Sequence, residues 1–259
     1  MNSIVVMPTY ERPEMLALSL ERLSQVRECP PIHIYVDRRV DKSIFQFVRD
    51  TYSPAAELHF TEDRPECTSG TWNILHAIQE GYNLGANFIF LVEEDVMVYP
   101  QWHFHHLAKL WTGEYKASCG RRLPAFNKKY GDIYTNPGSC LSRELVEAIV
   151  PHINENYFRN TGGYIRETFK REPLNSSLDD GLVRVVMADK GWRCAYPAAP
   201  LCAHQGFEFY NNIDIYMNNE GTIQNRIAKL RTMLAKISPK DRYAPDFEPF
   251  APSPLLLQA

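Results

Sequence analysis

Short apolar runs alternate with amphipathic stretches through the first half of the chain. The runs "SIVVM" (3–7) and "IHIYV" (32–36) are short and rich in β-branched residues. Such runs predict strands covered on both faces, as in a mostly parallel sheet. Between them, "PEMLALSLERLSQV" repeats apolar residues at helical spacing. Leu16, Leu20 and Leu23 share a face, Pro13 suits the first helical position and Glu14 the positive helix end. The pattern predicts a βαβ start. Further helices are predicted over 42–52 and after Ser69, where Leu75, Ile78 and Tyr82 share a face, and the next strand in "FIFLVEEDVMVYP" (88–100).

After Pro100 the regularity declines. A helix is predicted in "QWHFHHLAKLW", followed by the loop "GRRLPAFNKKYGD", a strand-like "GSCLS" and the helix "RELVEAIV". The segment "NTGGYIRETFKREPLN" precedes a helix in "DDGLVRVVMADKG", strands over 192–195 and 201–204, and a last helix over 222–236. The tail 237–259 holds five prolines and is expected to be extended or disordered. No internal repeat is visible.

Composition narrows the classes. The 259 residues carry 28 Lys+Arg against 31 Asp+Glu, so no global charge marks a nucleic-acid or membrane-surface binder. No window approaches the roughly 20 apolar residues of a membrane span, and no basic segment precedes an apolar one at the start. A soluble, cytoplasmic protein is expected. Six cysteines without a CxxC pair suggest buried, reduced thiols in place of disulfides or a zinc site.

Polar residues at strand ends carry the candidate chemistry, because ligands of open α/β sheets bind at the carboxyl ends of strands. "VVMPTYERPE" places Pro8, Tyr10 and Arg12 after the first strand, where Tyr can stack a base and Arg can pair a phosphate. No Gly-rich phosphate loop is present. Asp37 ends the second strand, able to accept from a uracil N–H or a ribose hydroxyl, or to cap a turn. Glu93, Glu94 and Asp95 follow an apolar run; three adjacent acids repel one another, which a hard cation such as Mg²⁺ or Mn²⁺ would relieve, the alternative being a solvated acidic turn. Asp179 and Asp180 open a helix, one able to cap it and the other to act as a general base. His204 ends a short apolar strand, where a lone His is more often structural, and is the candidate for a further metal ligand. His103 and His106 share a helical face, but no third ligand has the spacing for zinc and the helix needs solvated residues.

In order, "VVMPTYERPE", "IYVDRR", "LVEEDVMVYP" and "SLDDGLVR" resemble the nucleotide-sugar-dependent glycosyltransferases of the GT-A fold, near family 2 and closest to the inverting N-acetylglucosaminyltransferase I type. The resemblance implies one α/β GT-A (Rossmann-like) domain over 1–236. Its mostly parallel central sheet would be flanked by helices, with a donor half (1–103) and an irregular acceptor half (104–236). It further implies that Tyr10, Arg12 and Asp37 hold uridine and phosphate, that Asp95 contacts Mn²⁺ or Mg²⁺, that Glu94 faces the ribose or a metal-bound water and Glu93 the donor sugar, and that Asp180 is the base. The triplet is a DxD-like motif reading Glu-Glu-Asp where the family has Glu-Asp-Asp.

The implied reaction is inverting transfer from a nucleotide-diphosphate sugar, such as a UDP-sugar, to a hydroxyl. Arg121, Arg122 and Lys128 lie in a basic loop of the second half that reads first as a solvated loop, and are candidate acceptor contacts for a phosphorylated molecule or a hydroxylated DNA base; a glycan is the other acceptor considered. The alternatives are a sugar nucleotidyltransferase, which normally opens with a Gly-rich loop and a Lys, and a non-catalytic nucleotide-sugar-binding module.

Overall fold

The computed structural model describes residues 2–10, 12–37, 41–61, 70–122, 134–173, 178–204 and 221–236, with the backbone alone for 70, 178, 179 and 233–236. Lys128 and the tail 237–259 lie outside the described residues.

The first strand, β1 (Ser3–Thr9), pairs in parallel with β2 (Ile32–Asp37) on one side and β4 (Phe88–Leu91) on the other, and β3 (Glu57–Thr61) adds in parallel outside β2. Pro8 is tolerated in this central strand because the pairing with β4 ends at Val6↔Leu91, so its missing N–H costs no ladder bond on that side. Beyond β4 run β7 (Ser139–Ser142), β6 (Tyr115–Ser118) and β8 (Arg193–Ala195), giving the order β3-β2-β1-β4-β7-β6-β8. β7 is antiparallel to both its neighbours, while β6 and β8 are parallel. A separate antiparallel ribbon joins β5 (Val96–Val98) to β9 (Cys202–His204).

Alternation along the buried strands feeds two cores. Val5, Met7, Ile34, Val36 and Phe90 face the layer of α1 (Pro13–Leu23), α2 (Lys42–Tyr52), α4 (Trp102–Leu110) and the C-terminal helix α9 (Ile223–Lys236). Ile4, Val6, Tyr35, Ile89 and Leu91 face α3 (Gly70–Asn83), α5 (Arg143–Ile149), α6 (Glu155–Arg159), α7 (Thr161–Phe169) and α8 (Leu178–Lys190). The result is an α/β architecture with a mostly parallel seven-stranded sheet between helical layers.

The structure adds elements that periodicity did not reveal: β3, β6 and the two short helices α6 and α7 within "NENYFRNTGGYIRETF". It also corrects the reading of "WHFHHL" as needing solvated residues. His103 and His106 are buried against Phe90, and His106 Nδ1 lies 2.8 Å from Ser118 Oγ. Their face of α4 is core because Trp102, His106 and Leu110 recur at helical spacing.

Candidate functional site

Strands β1, β2 and β4 run in parallel, so their carboxyl ends bring Tyr10, Arg12, Asp37 and the acids 93–95 to one edge of the sheet. Val92 N–H still donates to Val6 O (3.1 Å), and the chain then turns through Glu93 to Asp95 before β5, with Val96 N–H donating to Glu93 O (3.0 Å). The acidic turn is thus rigidly anchored at both ends.

The two glutamates take different directions. Glu94, 2% exposed, accepts from the Tyr10 N–H at 2.5 Å and from Arg12 Nε at 2.6 Å. Burial pushes its carboxyl up to about 7, against the pull of Arg12. Asp95, also 2% exposed, accepts from a terminal guanidinium nitrogen of Arg12 at 2.7 Å. Burial works against Arg12's charge, but the paired acids outweigh it and raise its pKa above the usual arginine value. Glu93 lies on the other side. The β5–β9 ribbon sets Val96 opposite His204, so His204 Nε2 comes within 3.2 Å of Asp95 Oδ1 and 3.5 Å of Glu93 Oε2. Burial would raise the Asp95 pKa, yet His204 and Arg12 hold it well below the usual carboxylate range.

Glu93, Asp95 and His204 each offer a ligand atom, all within 4.8 Å of one another. Asp95 Oδ1 is buried and accepts no aligned hydrogen bond among the described residues. Two carboxylates and one imidazole form a donor set that suits Mn²⁺, which takes both oxygen and nitrogen ligands, and is compatible with Mg²⁺. The residues present therefore fit a divalent cation.

His204 reaches the cluster because two glycines let its strand approach. A Cβ on Gly120 would lie 2.6 Å from Gly138 O and 2.7 Å from Cys202 Sγ, and Gly138 has φ +60 with Cys202 Sγ equally close. Leu201 N–H donates to Gly120 O (2.7 Å) and Trp102 Nε1 to Gly138 O (2.7 Å), locking the packing.

Asp180, in the first turn of α8, accepts from the Asn136 N–H at 3.0 Å and from Arg184 one turn on; Arg184 Nε also donates to Tyr134 O at 2.7 Å. Asp179 is its neighbour in the same turn, with its side chain outside the described residues. Asp37 is 1% exposed at the end of β2. Arg121 is 7% exposed, so the solvated basic loop expected there does not include it. It lies close enough to Cys202 for its charge to act on that thiol, which burial pushes up to about 12. Arg122 is exposed, its guanidinium 5.3 Å from the Tyr196 ring centre.

Sequence reasoning missed Asn73, Asn136 and Arg184. Asn73 Nδ2 of α3 donates to Thr9 O (3.1 Å) and Tyr35 O (2.9 Å), tying together the strand ends that carry Tyr10 and Asp37. A lone Asn amid the apolar positions of a helix was the available signal.

No family model and no curated protein matches the sequence. Among solved structures, a fragment of S. aureus TarS (residues 1–349) is 14% identical, with 93% of this chain and 73% of the fragment covered at a TM-score of 0.51. A putative nucleotide-diphospho-sugar transferase from Desulfovibrio desulfuricans G20 is 12% identical over 90% of this chain and 97% of its own, at 0.49. A cytidylyltransferase from Leptospira borgpetersenii is 7% identical over 97% and 99%, at 0.48. The fold is of the GT-A type. No helix among the described residues is long and apolar enough to cross a membrane.

Proposed function

We propose that the chain is a metal-dependent glycosyltransferase that moves a sugar, with inversion, from a nucleotide diphosphate donor of the UDP-sugar kind to a hydroxyl acceptor. The observation that carries this reading is the convergence of Glu93, Asp95 and His204 beside Tyr10 and Arg12 at the carboxyl ends of β1, β2 and β4. The inverting, N-acetylglucosaminyltransferase I-like subtype rests on the order of sequence motifs alone.

In this reading Tyr10 and Asp37 hold the uridine. Arg12 orients Glu94 and Asp95. Glu93, Asp95 and His204 would hold a divalent cation, which when bound would neutralise charge developing on the leaving diphosphate. Arg121 is buried, with its charge acting on Cys202 of the strand that bears His204. Asp180 takes the proton from the acceptor hydroxyl while that oxygen bonds to the anomeric carbon and the carbon–oxygen bond to the diphosphate breaks. Asn136 and Arg184 fix the orientation of Asp180. Arg122 with Tyr196, and Lys128, are the acceptor-side contacts of this proposal.

The test is a thermal-shift panel of nucleotide sugars with and without Mn²⁺, followed by mass spectrometry of glycan, phosphorylated and hydroxymethylated-DNA acceptors. A donor that stabilises only with Mn²⁺ and releases nucleoside diphosphate supports the reading. Pyrophosphate release from a nucleoside triphosphate and a sugar phosphate would replace it with a nucleotidyltransferase, and nucleotide-sugar binding without any turnover would leave a binding module.

A further inference from the structure

A second group of metal-ligating side chains lies on the outer strands, away from the acidic turn. In the parallel register of β2 and β3, Glu57 stands beside His33 and His59 beside Tyr35. Successive side chains alternate along a strand, so His33 and Tyr35 share one face of β2, and Glu57 and His59 one face of β3. His33 is near the start of β2 and Asp37 at its end, which separates this cluster from the donor edge by about 13 Å along the strand.

Three atoms converge there. His33 Nδ1 lies 3.2 Å from His59 Nε2 and 3.5 Å from Glu57 Oε2, and His59 Nε2 lies 3.7 Å from Glu57 Oε2. Zinc bonds to nitrogen and oxygen of about 2.0–2.1 Å in a tetrahedral shell set neighbouring ligand atoms roughly 3.3 Å apart. The triangle of 3.2, 3.5 and 3.7 Å comes within a few tenths of an ångström of that spacing, and the His33 and His59 rings would turn to aim both nitrogens at one cation.

Ring contacts hold the cluster. His33 and His59 lie edge to edge in nearly one plane, with centres 5.4 Å apart and planes 5° apart, and Tyr35 stacks on His59 at 4.8 Å. The edge of His76 meets Tyr35 at 6.0 Å, and His76 in turn stacks on Trp72 at 4.6 Å. His33 is buried, while His59 is 39% and Glu57 65% exposed at the side chain, so a cation between them would keep a solvent-facing position.

We propose that His33, Glu57 and His59 form a binding site for a zinc-class divalent cation, which joins edge strand β3 to the sheet. Two imidazoles and one carboxylate select zinc and its neighbours over magnesium, whereas the cluster of Glu93, Asp95 and His204 offers two carboxylates and one imidazole. Among the described residues β3 has one sheet neighbour, so a cross-strand metal contact acts where the ladder is weakest.

The experiment uses the full chain carrying Asp95→Asn, to weaken the first cluster, stripped with EDTA and titrated with Co²⁺. One equivalent should bind with visible d–d absorption that Zn²⁺ abolishes, and Zn²⁺ should raise the unfolding midpoint by several degrees. Adding Glu57→Gln or His59→Ala should weaken Co²⁺ binding at least tenfold and remove the Zn²⁺ shift, with an unchanged circular dichroism spectrum. Both positions are solvent-accessible, so two independent variants guard against a folding defect in either. Co²⁺ binding unaffected by both substitutions, or no binding to the Asp95→Asn chain, overturns the proposal and leaves the contact between His33 and His59 as a shared-proton hydrogen bond.

Discussion

Asp95 and Asp180 both sit against an arginine, and the difference in what surrounds each pair separates their chemistry. Arg184 meets Asp180 within one helix turn, and a backbone N–H takes the other oxygen, so one charge balances another. Arg12 must serve Glu94 and Asp95 together, with Glu93 close by, so negative charge stays in excess around His204. A carboxylate held by an arginine and a backbone N–H keeps one fixed orientation. An under-compensated cluster draws in a cation.

The sharpest break of this contrast comes from removing each charge. Asp95→Asn and Asp180→Asn should each lower transfer by at least about 10³-fold, on the scale of lost electrostatic or acid–base contributions. Isothermal titration should show Mn²⁺-dependent donor binding lost in the former and retained in the latter. Equal donor affinity in both variants would remove the distinction.

Removing the arginines comes next. Arg12→Met and Arg184→Met each strand a buried or half-buried carboxylate and should cost about 3 kcal/mol in urea unfolding. Mn²⁺ should restore much of the loss in Arg12→Met, where acids cluster, and none in Arg184→Met.

Acid probes the surroundings more gently. Burial, with His105 and His103 nearby, lowers the His106 pKa to about 3, so the folded chain keeps it neutral while the unfolded chain takes up a proton below about 6.5. Its contribution is complete above pH 6.5 and is lost as pH falls toward 3. Between pH 7 and 5 the wild type should lose about 2 kcal/mol more than His106→Gln. Parallel curves would show that His106 is already charged in the fold. The smallest effect is expected from Arg122→Ala, which should change stability by less than about 0.5 kcal/mol while weakening acceptor binding in a salt-dependent way.

The βαβ start and the strand leading into the acids were legible because local apolar periodicity records burial. "ELHFT" hid β3, since an edge strand with half-exposed positions carries only a weak pattern. Arg184 reads as one polar residue in a helical stripe, and only its contacts with Tyr134 and Asp180 reveal its purpose. Arg121 reads as loop charge, because a close approach permitted by glycine leaves no periodic trace. The triplet itself was plain, but the division of labour between Glu93 and Glu94 depends on the reach of Arg12 and on the register of β5 with β9.

That last pairing bears on how the protein is made. All the acids of the donor edge are translated long before His204, and the two-stranded ribbon that delivers it closes a long loop of chain. During synthesis the nascent first half would present Glu93 and Asp95 as a two-ligand, weakly binding pair, and cation affinity would mature only when β9 docks.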